Sequence, residues 1–210
     1  MPCPLLHINP EKPDNHAIRQ AVGVLRAGGI IIYPTDTVYG IGCDIHQPKA
    51  LERLCKLKSI PVEQSNFSII CHDLSHLADF TTPITNPIFR VLKKALPGPY
   101  TFILEANSKV PKFFLHKKKT IGIRVPDNAI VAEIVKQLGN PIVSSSVHNT
   151  EDELMDYFSE PELIYEHYKD KVELVINGGF GNLQASTVIS VLDGSFAVIR
   201  EGLGSTEHLW

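Results

Sequence analysis

The sequence is short of the features that mark several protein classes. Tryptophan occurs once, methionine twice and cysteine four times in 210 residues. The cysteines are Cys3, Cys43, Cys55 and Cys71. None forms a C-x-x-C pair and none stands beside a plausible pair of histidine ligands. A chain of this length can bury a core without cross-links, so reduced thiols in a cytoplasmic protein are expected and a Cys/His metal cage is not. No apolar run approaches the ~18 residues of a membrane-spanning helix. The opening "MPCPLLHINPEKPDNH" has neither a basic n-region nor an apolar h-region, so no secretory leader and no membrane partner are expected. The formal net charge is -3, too near neutral for the whole chain to act as a polycation on nucleic acid. There is no G-x-x-x-x-G-K-[ST] loop, no G-x-G-x-x-G opening a helix and no G-x-S-x-G elbow. Those gaps argue against P-loop, dinucleotide-fold and α/β-hydrolase chemistry.

What the chain does have is alternation. Residues 15–27, "NHAIRQAVGVLRA", place Ile18, Val22 and Leu25 at helical spacing, with Asn15 as a candidate cap and Gly28-Gly29 as the stop. "IIIYPT" follows as a buried strand. Residues 48–58, "PKALERLCKLK", form a helix with Pro48 at its start. "NFSIIC" is a strand, "HLADF" a short helical piece, and "NPIFRVLKKAL" a helix with Pro87 in its first turn. A turn at "PGP" leads into "YTFILEA". In "KTIGIRVPD", Ile121, Ile123 and Val125 share one face, as on a half-buried strand. "NAIVAEIVKQLG" is a helix ended by Gly139. "PIVSSSV", "ELVINGG", "STVISVL" and "FAVIREG" complete the strands. This mixture predicts an α/β (α+β) fold: an open sheet with parallel and antiparallel pairs and helices packed around it. One domain is expected over residues 15–204, with an N-terminal extension at 1–14 and a C-terminal tail at 205–210.

In open α/β sheets ligands collect where strands end. Several strands here end in one vocabulary: Thr35-Asp36-Thr37, Ser144-Ser145-Ser146, Ser186-Thr187 and Arg200-Glu201-Gly202. Hydroxyls and backbone amides grouped with cations suit a phosphate-bearing ligand. Each cluster alone reads as ordinary capping or turn formation, and the recurrence argues for more. Lys56 and Lys58 sit near a helix C-terminus, where cations complement the helix dipole. They can face one ligand only if the helix ends between or just after them, which Ser59-Ile60-Pro61 permits.

Charge is unevenly spread. Between Arg90 and Arg124 lie Lys93, Lys94, Lys109, Lys112 and the run Lys117, Lys118, Lys119, opposed only by Glu105. Residues 151–173 reverse the sign and read as a solvated acidic face.

Taken together, "GGIIIYPTDTVYGIGCD", the lysine pair before a proline, "LPGPYTFIL", "TIGIRVPDN", "STVISV" and "VIREG" resemble the YrdC/YciO family, in order, over roughly residues 15 to 204. "NFSIICHDLSHLADF" and "PGPYTFIL" look closest to the YciO branch. The resemblance implies a twisted open sheet with a concave basic cavity. It also implies chemistry of the YrdC branch: threonylcarbamoyl-adenylate made from L-threonine, bicarbonate and ATP with Mg²⁺, for threonylcarbamoyl modification of tRNA. The family is also described as binding double-stranded RNA, for which Lys117, Lys118 and Lys119 are the candidates here. Nucleotide binding without turnover is the third alternative. By the resemblance, Thr35 would contact threonine and Arg124 its carboxylate. Lys56, Lys58, Thr101, Ser144, Ser145, Ser186, Thr187 and Arg200 would meet the nucleotide. Three positions depart from the family pattern. Lys58 replaces an arginine, Val147 replaces an asparagine, and Glu201, in place of a proline, would set an anion beside a phosphate site.

Overall fold

A computed structural model of the chain describes residues 3–115, 119–147, 157–192 and 194–210. In it ten strands form one sheet: β1 (Leu5–His7), β2 (Ile31–Tyr33), β3 (Gly40–Asp44), β4 (Ser68–Ile70), β5 (Tyr100–Glu105), β6 (Thr120–Arg124), β7 (Ile142–Ser146), β8 (Leu174–Asn177), β9 (Thr187–Leu192) and β10 (Ser195–Arg200). The spatial order is β1-β8-β2-β3-β7-β4-β6-β5-β9-β10. The pairs β1/β8, β2/β8, β4/β6 and β5/β9 are parallel and the others antiparallel, the mixed sheet expected from the sequence. The helices are α1 (Asn15–Arg26), α2 (Pro48–Leu57), α3 (Leu74–Ala78), α4 (Asn86–Ala95), α5 (Lys112–Leu115), α6 (Ala129–Leu138) and α7 (Pro161–Tyr168).

The cap of helix α1 lies one residue before the expected Asn15. Asp14 holds the extended conformation a cap needs, and its carboxylate accepts the Ala17 N–H at 2.9 Å. Asn15 is instead the first helical residue. Its side chain accepts from Gln137 of α6. Helix α2 ends at Leu57, leaving Lys58 as its C-cap and Ser59 at φ 53.

Two short strands escaped the sequence reading. The segment expected as an extension supplies β1, the sheet edge beside β8. "GIGCD" offers only a weak Gly-x-Gly in the sequence and is strand β3, inside the sheet between β2 and β7. Glycine is depleted in strands, and here it is needed for close packing: a Cβ on Gly42 would lie 2.2 Å from the Val143 carbonyl oxygen. The C-terminal tail also packs into the body. Leu209 is fully buried, and the Tyr100 hydroxyl donates to the Ser205 carbonyl at 2.7 Å.

Two apolar layers sandwich the sheet. One carries Leu51 and Leu54 of α2, Leu77 of α3, Leu92 of α4 and Ile164 of α7. They pack against Val143, Ile69, Ile123, Phe102 and Ile189 from β7, β4, β6, β5 and β9. The other carries Ile18 and Leu25 of α1 and Ile130 and Ile134 of α6, packed on β2, β8, β4 and β7. Among the described residues this second layer takes no side chain from β5, β6, β9 or β10. Side chains alternate along a strand. The residues between Ile121 and Ile123, between Phe102 and Leu104, and before Ile189 therefore face the side that α1 and α6 leave open. Function is to be sought on that uncovered half-face.

Candidate functional site

The uncovered half-face is the floor of a cavity of about 510 Å³, within the range of sites for nucleotide-sized ligands. Ser68, Thr101, Ile103, Gly122, Arg124, Ser144 and Val188 line it from β4, β5, β6, β7 and β9. Ser145, Ser146, Ser186 and Arg200 complete its polar wall, and Phe114 and Leu115 of α5 flank it. No carboxylate stands among the described lining residues. The site therefore offers hydroxyls and guanidinium groups, an inventory suited to acceptor-rich anions.

Arg124 is the deepest charge. It ends β6, is 7% exposed, and donates from Nη2 to Asp36 Oδ1 at 2.9 Å and to Thr37 Oγ1 at 3.0 Å. The other oxygen of Asp36 accepts the Asp127 N–H at 3.1 Å. The Nε of Arg124 is buried without a partner among the described residues. Burial pulls the guanidinium's pKa down, and the Asp36 charge opposes that pull. Arg200, at the end of β10, donates from Nε and Nη2 to the Ser186 carbonyl at 3.2 and 2.8 Å. The Ser186 hydroxyl lies 2.8 Å from that of Thr101. The strand ends thus bring Thr101, Arg124, Ser144, Ser145, Ser186 and Arg200 to one cavity.

Four residues take other positions. Lys58 does not itself line the cavity. It donates from Nζ to the carbonyl of the lining residue Ser146 at 2.9 Å, and burial lowers its pKa to about 8. Lys56 is exposed on a separate surface pocket between α2 and Phe113, because the helix ends after it and before Lys58. The Thr35 hydroxyl is engaged within its own loop, donating to the Val38 carbonyl at 2.7 Å and accepting the Thr37 N–H at 3.0 Å. Thr187 is fully buried. It donates to the Gly204 carbonyl and accepts the Gly202 N–H, so it fastens the 202–204 loop onto β9.

The family departures also take definite places. Val147 is wholly buried, with its N–H on the Tyr39 carbonyl, so its side chain belongs to the core. Glu201 is exposed and does not itself line the cavity, although it follows the lining residue Arg200.

The basic stretch is partly spent within the fold. Lys109 pairs with Asp79 at 2.6 Å, Lys94 donates to the Leu209 carbonyl, and Arg124 is buried. Lys119 is exposed at the start of β6, while Lys117 and Lys118 lie outside the described residues. The acidic segment is similarly divided. Residues 151–156 lie outside the description, whereas Glu173 accepts the Ile30 N–H and pairs with Arg53. Among the described residues no group of three or more His, Cys, Asp or Glu could hold a metal ion, and none of the helices described is long and apolar enough to cross a membrane.

Sequence reasoning passed over two participants. Asp36 is the partner of Arg124. Tyr33 looked like one more apolar strand residue, yet its hydroxyl donates to Ser144 Oγ at 2.5 Å. Only the sheet order brings β2 near enough to β7 for that contact.

Residues 23–202 match the model of the Sua5/YciO/YrdC family, described as "Telomere recombination". YciO of Escherichia coli strain K12 is 39% identical over 202 residues, 96% of each chain. Its crystal structure superposes with a TM-score of 0.90 at 38% identity, over 98% of both chains. The threonylcarbamoyl-AMP synthase of Nitrosococcus oceani is 33% identical over 134 residues, 64% of this chain and 72% of that protein. Sua5 of P. abyssi, solved in complex with L-threonine, shares the fold with a TM-score of 0.85 at 24% identity, over 95% of this chain and 57% of its own.

Proposed function

The chain belongs to the Sua5/YciO/YrdC family, and on that premise we propose that its cavity makes threonylcarbamoyl-adenylate from L-threonine, bicarbonate and ATP. The observation that carries the reading is the presence of a buried Arg124 and of Arg200 in one hydroxyl-lined cavity with no carboxylate among its described lining residues. Relatives named for this synthase activity, and a fold relative solved with L-threonine, support it.

The chemistry asks little of a protein base. Threonine's amine and bicarbonate give a carbamate and water. A carbamate oxygen then attacks the α-phosphorus of ATP, and the bond to the departing pyrophosphate breaks. The nucleophile is already an anion. The protein's task is to hold two anions together and to stabilise the charge that leaves. Arg124 suits the amino-acid carboxylate. Arg200, Thr101, Ser186, Ser144 and Ser145 suit the nucleotide phosphates. Lys58, with its pKa near 8, keeps its charge in most molecules at pH 7. Mg²⁺ would enter as part of the MgATP substrate, since the described lining residues supply no carboxylate for it. The product belongs with threonylcarbamoyl modification of tRNA, which makes an RNA the downstream partner.

The test is incubation with MgATP, bicarbonate and each amino acid in turn, following pyrophosphate and the adenylate by mass spectrometry. Pyrophosphate release that depends on threonine, with a threonylcarbamoyl-adenylate mass, is the expected result. ATP binding without threonine-dependent release overturns the synthase reading and leaves a nucleotide-binding protein.

A further inference from the structure

A serine hydroxyl both donates and accepts, so by itself it does not favour an anion over a hydrogen-bond donor. The setting of Ser144 removes that ambiguity. Tyr33 is fully buried on β2, on the sheet face covered by α1 and α6. Strand β3 separates it from β7. Two strand spacings are roughly 10 Å, at the limit of a tyrosine's reach. The residue of β3 directly opposite Tyr33 is Gly40. A Cβ there would lie 2.8 Å from two carbons of the Tyr33 ring. Because Gly40 lacks that atom, the ring passes over β3 and the phenol meets Ser144.

The phenol is the stronger acid of the pair and donates. Burial pushes its ionisation far up, so it keeps its proton throughout the neutral range. One lone pair of Ser144 Oγ is therefore occupied by Tyr33. Among the described residues no acceptor takes the proton of Ser144 itself, and the open space beside Ser144 is the cavity.

We propose that Tyr33 is a positioning residue, reaching across β3 at Gly40 to fix Ser144 as a hydrogen-bond donor to a phosphate-type oxygen in the cavity. The inference deepens the nucleotide reading above and rests on it. It assigns the Ser144 end of the cavity to the phosphoanhydride part of the ligand. It also gives a role to the tyrosine and glycine that bracket the "PTDTVY" loop, which the proposed chemistry leaves unused.

The experiment is a double-mutant cycle read by calorimetric binding of inorganic pyrophosphate to the full chain. Tyr33→Phe keeps the ring and removes only the hydroxyl. It is expected to weaken binding about 5- to 10-fold, the scale of one orienting hydrogen bond. Ser144→Ala is expected to weaken binding at least as much. The double variant should bind no more weakly than Ser144→Ala alone, since the hydroxyl of Tyr33 acts only through Ser144. A purely structural role for Tyr33 would show as an equal loss in both backgrounds, and that result overturns the proposal. Wild-type affinity retained by Tyr33→Phe overturns it as well, as does failure of the wild-type chain to bind pyrophosphate. The cycle reads pyrophosphate binding alone, so it decides the role of Tyr33 whether or not the adenylate is made.

Discussion

Replacing Asp36 by alanine tests the electrostatic core of the site. Its carboxylate is 10% exposed and the guanidinium of Arg124 is 8% exposed. Asp36→Ala removes the acceptor for Arg124 Nη2 and for the Asp127 N–H, and it leaves a buried cation beside Thr37 only. The Nε of that cation already has no partner among the described residues. Breaking a buried pair by removing one member costs about 3–5 kcal/mol, because the remaining charge is stranded. For a domain of this size that corresponds to a fall in Tm of roughly 6–20 °C. Arg53–Glu173 is the internal control. It is shorter, at 2.6 Å, but its side chains are 45% and 42% exposed. Arg53→Ala should cost under about 1 kcal/mol, since water screens the exposed pair. Both variants are read by thermal melts and urea titration under identical conditions. A loss for Asp36→Ala no larger than that for Arg53→Ala would refute the argument that burial sets the strength of the pair.

Three further outcomes are expected. Lys58 has a folded pKa of about 8 against its ordinary 10.5, so between those values the unfolded chain binds more protons than the native one. The stability of the wild type relative to Lys58→Met should therefore rise with pH from about 8 to 10.5, and parallel urea curves across that window would contradict the burial of Lys58. Gly40→Ala should cost about 1–3 kcal/mol by overpacking against the Tyr33 ring, and the cost should shrink in a Tyr33→Leu background, as measured by paired melts. Val147→Asn restores the family residue at a wholly buried position, and should lose about 1–3 kcal/mol for an amide without partners while leaving adenylate formation no faster in the mass-spectrometric assay.

Much of the molecule was legible from residue order. Apolar periodicity marks α1, α2, α4 and α6, because a helix that packs on a sheet must repeat its apolar face every three to four residues. Alternation in "TIGIRV" marks β6 for the corresponding reason. The elements that escaped are those whose signals are weak for a physical cause. β1 is three residues long, so it has no room for a pattern. β3 carries two glycines where neighbouring groups come too close for a side chain. α7 lies within a charged segment that reads as solvated surface, although Ile164 and Tyr168 are buried.

The site divides along the same line. Residue chemistry at strand ends singled out Ser144, Ser145, Ser186 and Arg200, since hydroxyls and cations carry their chemical meaning wherever they fold, and the family resemblance added Thr101 and Arg124. Which of the candidates share a space was a matter of tertiary structure. Lys56 and Lys58 are two residues apart, yet the end of α2 sends one to the outer surface and the other to the back of the Ser146 wall. Tyr33 and Ser144 are 111 residues apart, and only the order β2-β3-β7, with a glycine between, puts one hydroxyl on the other. Sequence determines what each group can do. Strand order and helix ends decide which groups act together, because hydrogen bonds and charge pairing work only over a few ångströms.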